Sequence, residues 1–184
     1  TFTQGAGATQ SLLVTGSNGV DNVTVTSNRG TFIANGGNDT IAFTTAANAA
    51  AGSQSVNLSA KDFVGNGALN VNFAAFTAGG TNEVINFSSD IEAMLKIGNV
   101  VLGQTNANQT VGATINGQNN VAVLDVAGVA TLQFDVNGDG NFNAADDFAI
   151  TLTGLSTAGA GAITVTYDAA ADWLATLGKA NLKL

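Results

Sequence analysis

The sequence predicts a mainly β fold, a β-sandwich or β-roll-like domain carrying one or two short helices, and two observations predict it. The first is composition. Asn and Thr occur 22 times each and Gly 23 times, while Pro, Cys and His are absent and charged residues make up only 10% of the chain. Thr and Val suit a pleated surface, and Asn and Gly tolerate the left-handed dihedrals of tight turns. The second is period-two alternation. It is visible in Val23-Thr24-Val25-Thr26, Leu69-Asn70-Val71-Asn72-Phe73, Val121-Ala122-Val123-Leu124, Ala149-Ile150-Thr151-Leu152-Thr153 and Ile163-Thr164-Val165-Thr166-Tyr167.

Two short helices interrupt the strands. Ser89-Asp90-Ile91-Glu92 has the form of a capping box, opening a helix from Asp90 to Ile97 with Gly98 as its stop. Asp168 caps a second from Ala169 to Leu177, with Gly178 after it, and places Trp173 on an apolar face packed against the sheet. At 184 residues the chain is expected to form one β-rich domain spanning 1–184, large enough to bury about two-thirds of its unfolded surface.

Composition also excludes chemistry. Without Cys or His there is no zinc finger, disulfide framework, Ser-His-Asp triad or Cys-His dyad. A net charge of -8 repels a phosphate backbone, so nucleic acid is not an expected partner. No apolar run reaches the roughly 18 residues of a membrane helix, and no membrane insertion is expected. One Trp and one Tyr are few for the sugar platforms that accompany a glycosidase acid pair. Catalysis is not expected. The opening Thr1-Phe2-Thr3 has neither Met nor a basic leader, which reads as a processed or trimmed end, or as part of a longer protein.

Two segments carry more than fold information. Gly16 to Ala42 divides into three nines, with Val23, Phe32 and Ile41 at one phase and Gly19, Asn28 and Gly37 at another. The stretch resembles the nonapeptide of RTX proteins, whose parallel β-roll turns bind calcium. That resemblance implies a short β-roll over 16–42, in which one coil takes two nonapeptides. Asp21 and Asp39, 18 residues apart, then stack on one side and share a Ca²⁺. Ser17 and Asn35 replace the second glycine, Gly30 stands where the middle repeat would have its aspartate, and the period does not continue past Ala42. The alternative is a pair of Gly-Asn-Asp hairpin turns between ordinary strands.

The second segment is Asp135-Val136-Asn137-Gly138-Asp139-Gly140-Asn141-Phe142-Asn143-Ala144-Ala145-Asp146-Asp147. Oxygen side chains stand at loop positions one, three and five, Gly at six, Asn at nine and a carboxylate at twelve, the order in which a calcium loop wraps its ion. Asp135, Asn137 and Asp139 are the candidate side-chain ligands, Asn141 offers its carbonyl, Asn143 a direct or water-bridged oxygen, and Asp146 the closing carboxylate, with Asp147 in reserve. Four carboxylates in so short a loop repel one another. At an effective dielectric near 20, each close pair left unneutralised costs on the order of a few kcal/mol.

The spacing resembles the dockerin variant of the EF-hand, but the flanks read as strands. Val121 to Phe134 is a hairpin turned at Ala127-Gly128, and Phe148 to Thr153 alternates. The unit over 121–167, hairpin then calcium loop then strand, resembles the C-terminal region of type I secreted RTX proteins. The resemblance implies a calcium-stabilised structural protein of a bacterial surface layer or self-assembling fibre, secreted or at the cell surface, whose partners are copies of itself. The alternative it leaves is a C-terminal calcium-folding and secretion module of a larger secreted enzyme or adhesin. Of the remaining acids, Asp62 beside Lys61 and Glu83 near Asp90 are expected to be solvated charges.

Overall fold

Through its first half the chain lays successive strands alternately into two sheets. The computed structural model describes residues 1–3, 11–45, 54–73, 83–92, 94–97, 100–101, 110–111, 114–126, 129–153, 164–168, 172–177 and 180–183. In it β1 (Phe2–Thr3), β3 (Asn22–Thr26), β5 (Asp39–Phe43) and β7 (Gly67–Phe73) run parallel in one sheet. In the other, β2 (Leu12–Thr15), β4 (Gly30–Ile33), β6 (Gln54–Leu58) and β8 (Glu83–Phe87) do the same. Each coil of this two-sheet roll therefore contributes one strand to each sheet. Leu12 lies beside Gly30 and Asn22 beside Thr40, both 18 residues apart, so the nonapeptide period is the half-coil.

The roll outlasts its sequence period. Thr31 pairs with Ser55, 24 residues on, and β5 pairs with β7 although 30 residues separate Thr40 from Asn70. The turns lengthen while the register holds, because the inward residues still alternate. In β3, β4 and β5 the buried side chains are Val23 and Val25, Phe32, and Ile41 and Phe43, with Thr24, Thr31 and Ala42 facing outward. A one-residue slip would turn the whole set to solvent.

After β8 the chain makes one helical turn, α1 (Ser89–Glu92), then the small antiparallel pair β9 (Lys96–Ile97) and β10 (Val100–Val101), and then β11 (Thr110–Val111). An antiparallel meander follows: β12 (Val121–Val126), β13 (Val129–Phe134) and β14 (Phe148–Thr153), with Val126 opposite Val129 as the expected hairpin requires. It joins the first sheet through β14, parallel to β7. The second sheet is extended by β15 (Thr164–Asp168), β16 (Asp172–Leu177) and β17 (Ala180–Lys183), with β17 parallel to β8. The sheets read β1-β3-β5-β7-β14-β13-β12 and β11-β15-β16-β17-β8-β6-β4-β2.

Both helices differ from expectation. The first stops after one turn because Asn120, itself buried, accepts the Lys96 N–H on its side-chain oxygen at 2.6 Å, donates its own backbone N–H to the Lys96 carbonyl at 3.2 Å, and donates its side-chain amide to the Met94 carbonyl at 2.7 Å. The chain therefore leaves the helical path after the Met94 turn and is extended from Lys96. The second is replaced by β16, whose Trp173 stands in register with Tyr167 and whose Ala175 stands in register with Leu182. The backbone there fills the gap between β15 and β17, and that pairing outweighs the local capping signal.

The core between the sheets is aromatic at one level. Phe63 lies against Phe148 at 4.5 Å between ring centroids and against Phe134 at 4.8 Å, edge-on, with Phe87 at 5.9 Å. Phe63 comes from the long turn between β6 and β7, Phe87 from β8, and Phe134 and Phe148 from the meander, so this cluster fastens the roll to the antiparallel half. Phe134→Ala is expected to lower unfolding free energy by about 3–5 kcal/mol, read as a shift of the urea midpoint without loss of the protein's β circular-dichroism signal at zero denaturant.

Candidate metal centre

Through the first half of the chain the turns that leave the second sheet fall along one rim, and each carries an aspartate in it or at its end. Asp21 precedes β3, Asp39 opens β5, Asp62 lies in the turn before β7, and Asp90 follows β8. Three of these reach to the neighbouring coil for a backbone donor. Asp39 Oδ1 accepts the Asp21 N–H at 3.0 Å, Asp62 Oδ1 the Gly36 N–H at 2.5 Å, and Asp90 Oδ2 the Ala60 N–H at 3.1 Å. Turns of a parallel roll leave N–H groups outside the ladder, and a carboxylate satisfies them with a charge-assisted bond.

Successive turns touch backbone to backbone. Gly37 has φ +99°, and a Cβ there would run into the Gly19 carbonyl one coil away. Glycine at position 37 is therefore required by close approach as well as by dihedral angle.

Asp21 and Asp39 stack as the 18-residue spacing predicts, in unlike environments. Asp21 is partly exposed, and its Oδ2 accepts the Ser17 N–H at 2.6 Å and the Ser17 hydroxyl at 3.0 Å. Asp39 is 1% exposed, and its Oδ2 is buried with no hydrogen-bond partner. Burial, reinforced by the charges of Asp21 and Asp62, pushes its pKa from 3.8 up to about 6, against the lowering effect of the Asp21 N–H. A buried acceptor left open among like charges is the situation a divalent cation relieves.

Asp62 corrects the expectation of a solvated charge. It is 2% exposed, with Oδ2 accepting the Ser59 N–H at 2.7 Å and the Ser59 hydroxyl at 3.2 Å. The available signal was its neighbour, because Asp62-Phe63 repeats in sense the Phe134-Asp135 and Asp147-Phe148 pairs that set an acid directly above the aromatic cluster. Asp90 stays exposed, and its carboxyl is held below the usual range first by the Ser88 hydroxyl and then by the Ala60 N–H. The side chain of Glu83 lies outside the described residues.

The second candidate loop sits on the same rim. Because Phe148 is in register with Gly67, the loop's end lies beside the turn before β7, and a Cβ on Gly65 would come within 2.9 Å of the Asp146 carbonyl. Asp135 is buried and forms the hub: Oδ1 accepts the N–H groups of Gly138 at 2.6 Å and Asp139 at 3.2 Å, and Oδ2 that of Gly140 at 2.9 Å. Gly138 and Gly140 have φ of +76° and +85°, which lets the chain wind tightly around it.

Asn137 Oδ1 accepts the Asp139 N–H at 2.9 Å, and Asp139 Oδ1 the Asn141 N–H at 2.8 Å. Asn137, Asp139, Asn141 and Asn143 are exposed at the loop's mouth. The closing acids exchange their expected parts. Asp147 is 1% exposed and turns inward, accepting Val136 N–H at 2.9 Å and Asn143 N–H at 2.7 Å, whereas Asp146 faces solvent against the Asn143 amide at 3.0 Å. Both precede β14 in a turn where their N–H groups bond the Asn143 carbonyl at 2.9 Å, and it is this turn that points Asp147 in, since the phase of β14, with Phe148 buried, would by itself turn it out.

Chemically the loop offers hard oxygen donors and nothing else, a set suited to Ca²⁺. Among the described residues no three acidic side chains converge into one cluster, so a cation here would be held by one or two carboxylates completed by amide and carbonyl oxygens. Backbone N–H groups already offset the charge of Asp135 and Asp147: Asp135 Oδ1 takes two of them, while Asp135 Oδ2 and both oxygens of Asp147 take one each and retain a further lone pair. The repulsion that the sequence alone implies is thus partly met from within the loop.

Asp39 sets a pH dependence. Its pKa is higher folded than unfolded, so between about 3.8 and 6 the native state holds a proton that the unfolded chain has lost. Stability from this group is therefore greatest at the acid end of that window and declines as pH rises through 6. In chelator, the thermal midpoint of Asp39→Asn should fall less between pH 4.5 and 7.5 than that of the parent protein. Comparison of the chain with protein-family models, curated proteins and solved structures returned no match.

Proposed function

We propose that the chain is a calcium-stabilised structural protein that works outside the cell, in a bacterial surface layer or fibre, by associating with copies of itself. The observation that carries the calcium part is the orphaned Asp39 Oδ2, buried on the same rim as the oxygen-lined Asp135–Asp147 loop. Asp39 and Asp21 would hold one ion, and Asp135, Asn137, Asp139 and the Asn141 carbonyl another, with Asn143 and Asp146 at the mouth. Such an ion supplies positive charge where the fold concentrates carboxylates. Extracellular loops of this type bind Ca²⁺ at roughly 10⁻⁴ to 10⁻³ M.

Support for assembly comes from the sheet ends. Both sheets terminate at one end in β1 and β2 and at the other in β12 and β11, strands with a sheet neighbour on one side only among the described residues. Strand edges are templates for further pairing. At the β1 and β2 end Phe2 is 43%, Leu13 63% and Val20 77% exposed. Low charge and short polar side chains leave little to oppose contact between copies.

Millimolar Ca²⁺ is expected to raise the thermal midpoint at pH 7.5, by the equivalent of about 2.7 kcal/mol when free ion is 100 times Kd. Asp139→Asn and Asp39→Asn should each remove part of that gain. Electron microscopy should show sheets or filaments in Ca²⁺ and dispersed particles in chelator. A Ca²⁺-stabilised compact monomer would point instead to a calcium-folding module of a larger secreted protein, and an unchanged midpoint would end the calcium reading itself.

A further inference from the structure

Five Asn-Gly pairs occur in the chain, at Asn18, Asn35, Asn66, Asn116 and Asn137, and the structure gives each a different surrounding. Such pairs can modify themselves: the glycine nitrogen attacks the preceding side-chain amide. The attack needs a base for the N–H, a positive group beside the amide oxygen, and room for a five-membered ring.

Asn35 has all three. The Gly36 N–H is bonded to the buried Asp62 carboxylate at 2.5 Å, and the Asn35 Oδ1 faces the Lys61 ammonium at 3.4 Å. Asn35 itself has φ +67°, followed by Gly36 and Gly37 at +97° and +99°, so no side chain hinders the backbone on the glycine side. Asn35 is only partly buried, which admits water.

The other four lack the combination. Gly19 N–H meets the Ser17 hydroxyl at 3.1 Å, and Gly67 N–H the Val64 carbonyl at 3.0 Å, neither of which is a base. The Asn116 side-chain oxygen is tied to the Gln118 and Asn119 N–H groups at 2.8 and 3.0 Å. Gly138 N–H does meet a carboxylate, Asp135 at 2.6 Å, but the Asn137 Oδ1 accepts a neutral backbone N–H, that of Asp139 at 2.9 Å, where Asn35 Oδ1 has an ammonium.

We propose that Asn35–Gly36 is a self-modification site, where Asp62 and Lys61 promote conversion of the Asn35 amide to a carboxylate. The Gly36 nitrogen bonds to Asn35 Cγ while its proton passes to Asp62, and the oxyanion that forms is held by Lys61. Collapse breaks the Cγ–Nδ2 bond, the proton returns to the leaving nitrogen, and ammonia departs from a succinimide. Water opens the ring at either carbonyl, leaving Asp or isoaspartate at position 35. The net change is one water consumed and one ammonia released. It adds a negative charge to the acidic rim, and the isoaspartyl product lengthens the backbone of the coil by one methylene.

The test follows the five pairs by peptide mass mapping in folded protein aged at pH 7.5 and 37 °C, against the same protein aged in urea. In the folded protein Asn35 should convert several-fold faster than each of the other four. In urea the five rates should converge, since each Asn is followed by Gly. Lys61→Met, a change at an exposed position, should slow Asn35 several-fold without affecting the others, and Asp62→Asn should slow it further. If Asp62→Asn fails to fold by circular dichroism, the lysine variant and the urea comparison decide. An Asn35 rate in the folded state no higher than the rest, or one indifferent to Lys61, overturns the proposal.

Discussion

A parallel roll must satisfy the backbone of its turns, and here carboxylates meet that demand. Where the chain leaves one sheet for the other its N–H groups fall outside both ladders. Asp39, Asp62 and Asp90 each take one such donor from the adjacent coil, at 3.0, 2.5 and 3.1 Å. Each bond ties neighbouring coils together at their turns. The consequence is a line of like charges, and where no partner reaches one of its oxygens, at Asp39 Oδ2, burial raises the carboxyl pKa. Structural duty thus falls on the same side chains that we propose as cation ligands.

The aromatic cluster is the apolar counterpart of that rim. Asp62 and Phe63, Phe134 and Asp135, and Asp147 and Phe148 are chain neighbours, so each of these three buried acids is tethered by the backbone to a ring of the cluster. Because Phe63 belongs to the roll and Phe134 and Phe148 to the meander, the cluster sets the Asp135–Asp147 loop beside the roll's turns. The parallel pairing of β7 with β14 fixes the same alignment, and the contact of Gly65 with the Asp146 carbonyl closes it. An ion held in the loop therefore acts on an element already joined to the coils.

Much of this was legible in the residues. The 18-residue coil of Asp21 and Asp39 follows from the recurrence of Val23, Phe32 and Ile41, and the hairpin before the loop follows from its alternation and the small residues at its turn. The inward acid at the loop's end was not legible, since Asp146 and Asp147 are chemically alike and the turn at Asn143, whose N–H bonds the Asp147 carboxylate, makes the selection. Asp62 was misjudged because Lys61 beside it suggests a solvated pair, while burial is decided by a turn from another coil. The helices were overestimated for a related reason. Capping signals at Ser89 and Asp168 are local, whereas Asn120 and the edges of β15 and β17 act from far along the chain.

The amino-acid sequence by itself determined the β character, the strand phase and the oxygen-rich chemistry of the turns, because side-chain alternation and backbone preference act within a few residues. Tertiary structure alone decided that the roll continues beyond Ala42 through coils of unequal length, and that two segments about a hundred residues apart come to share one rim. Those outcomes depend on which backbones pair and how the rings pack between the sheets, and neither is encoded at short range.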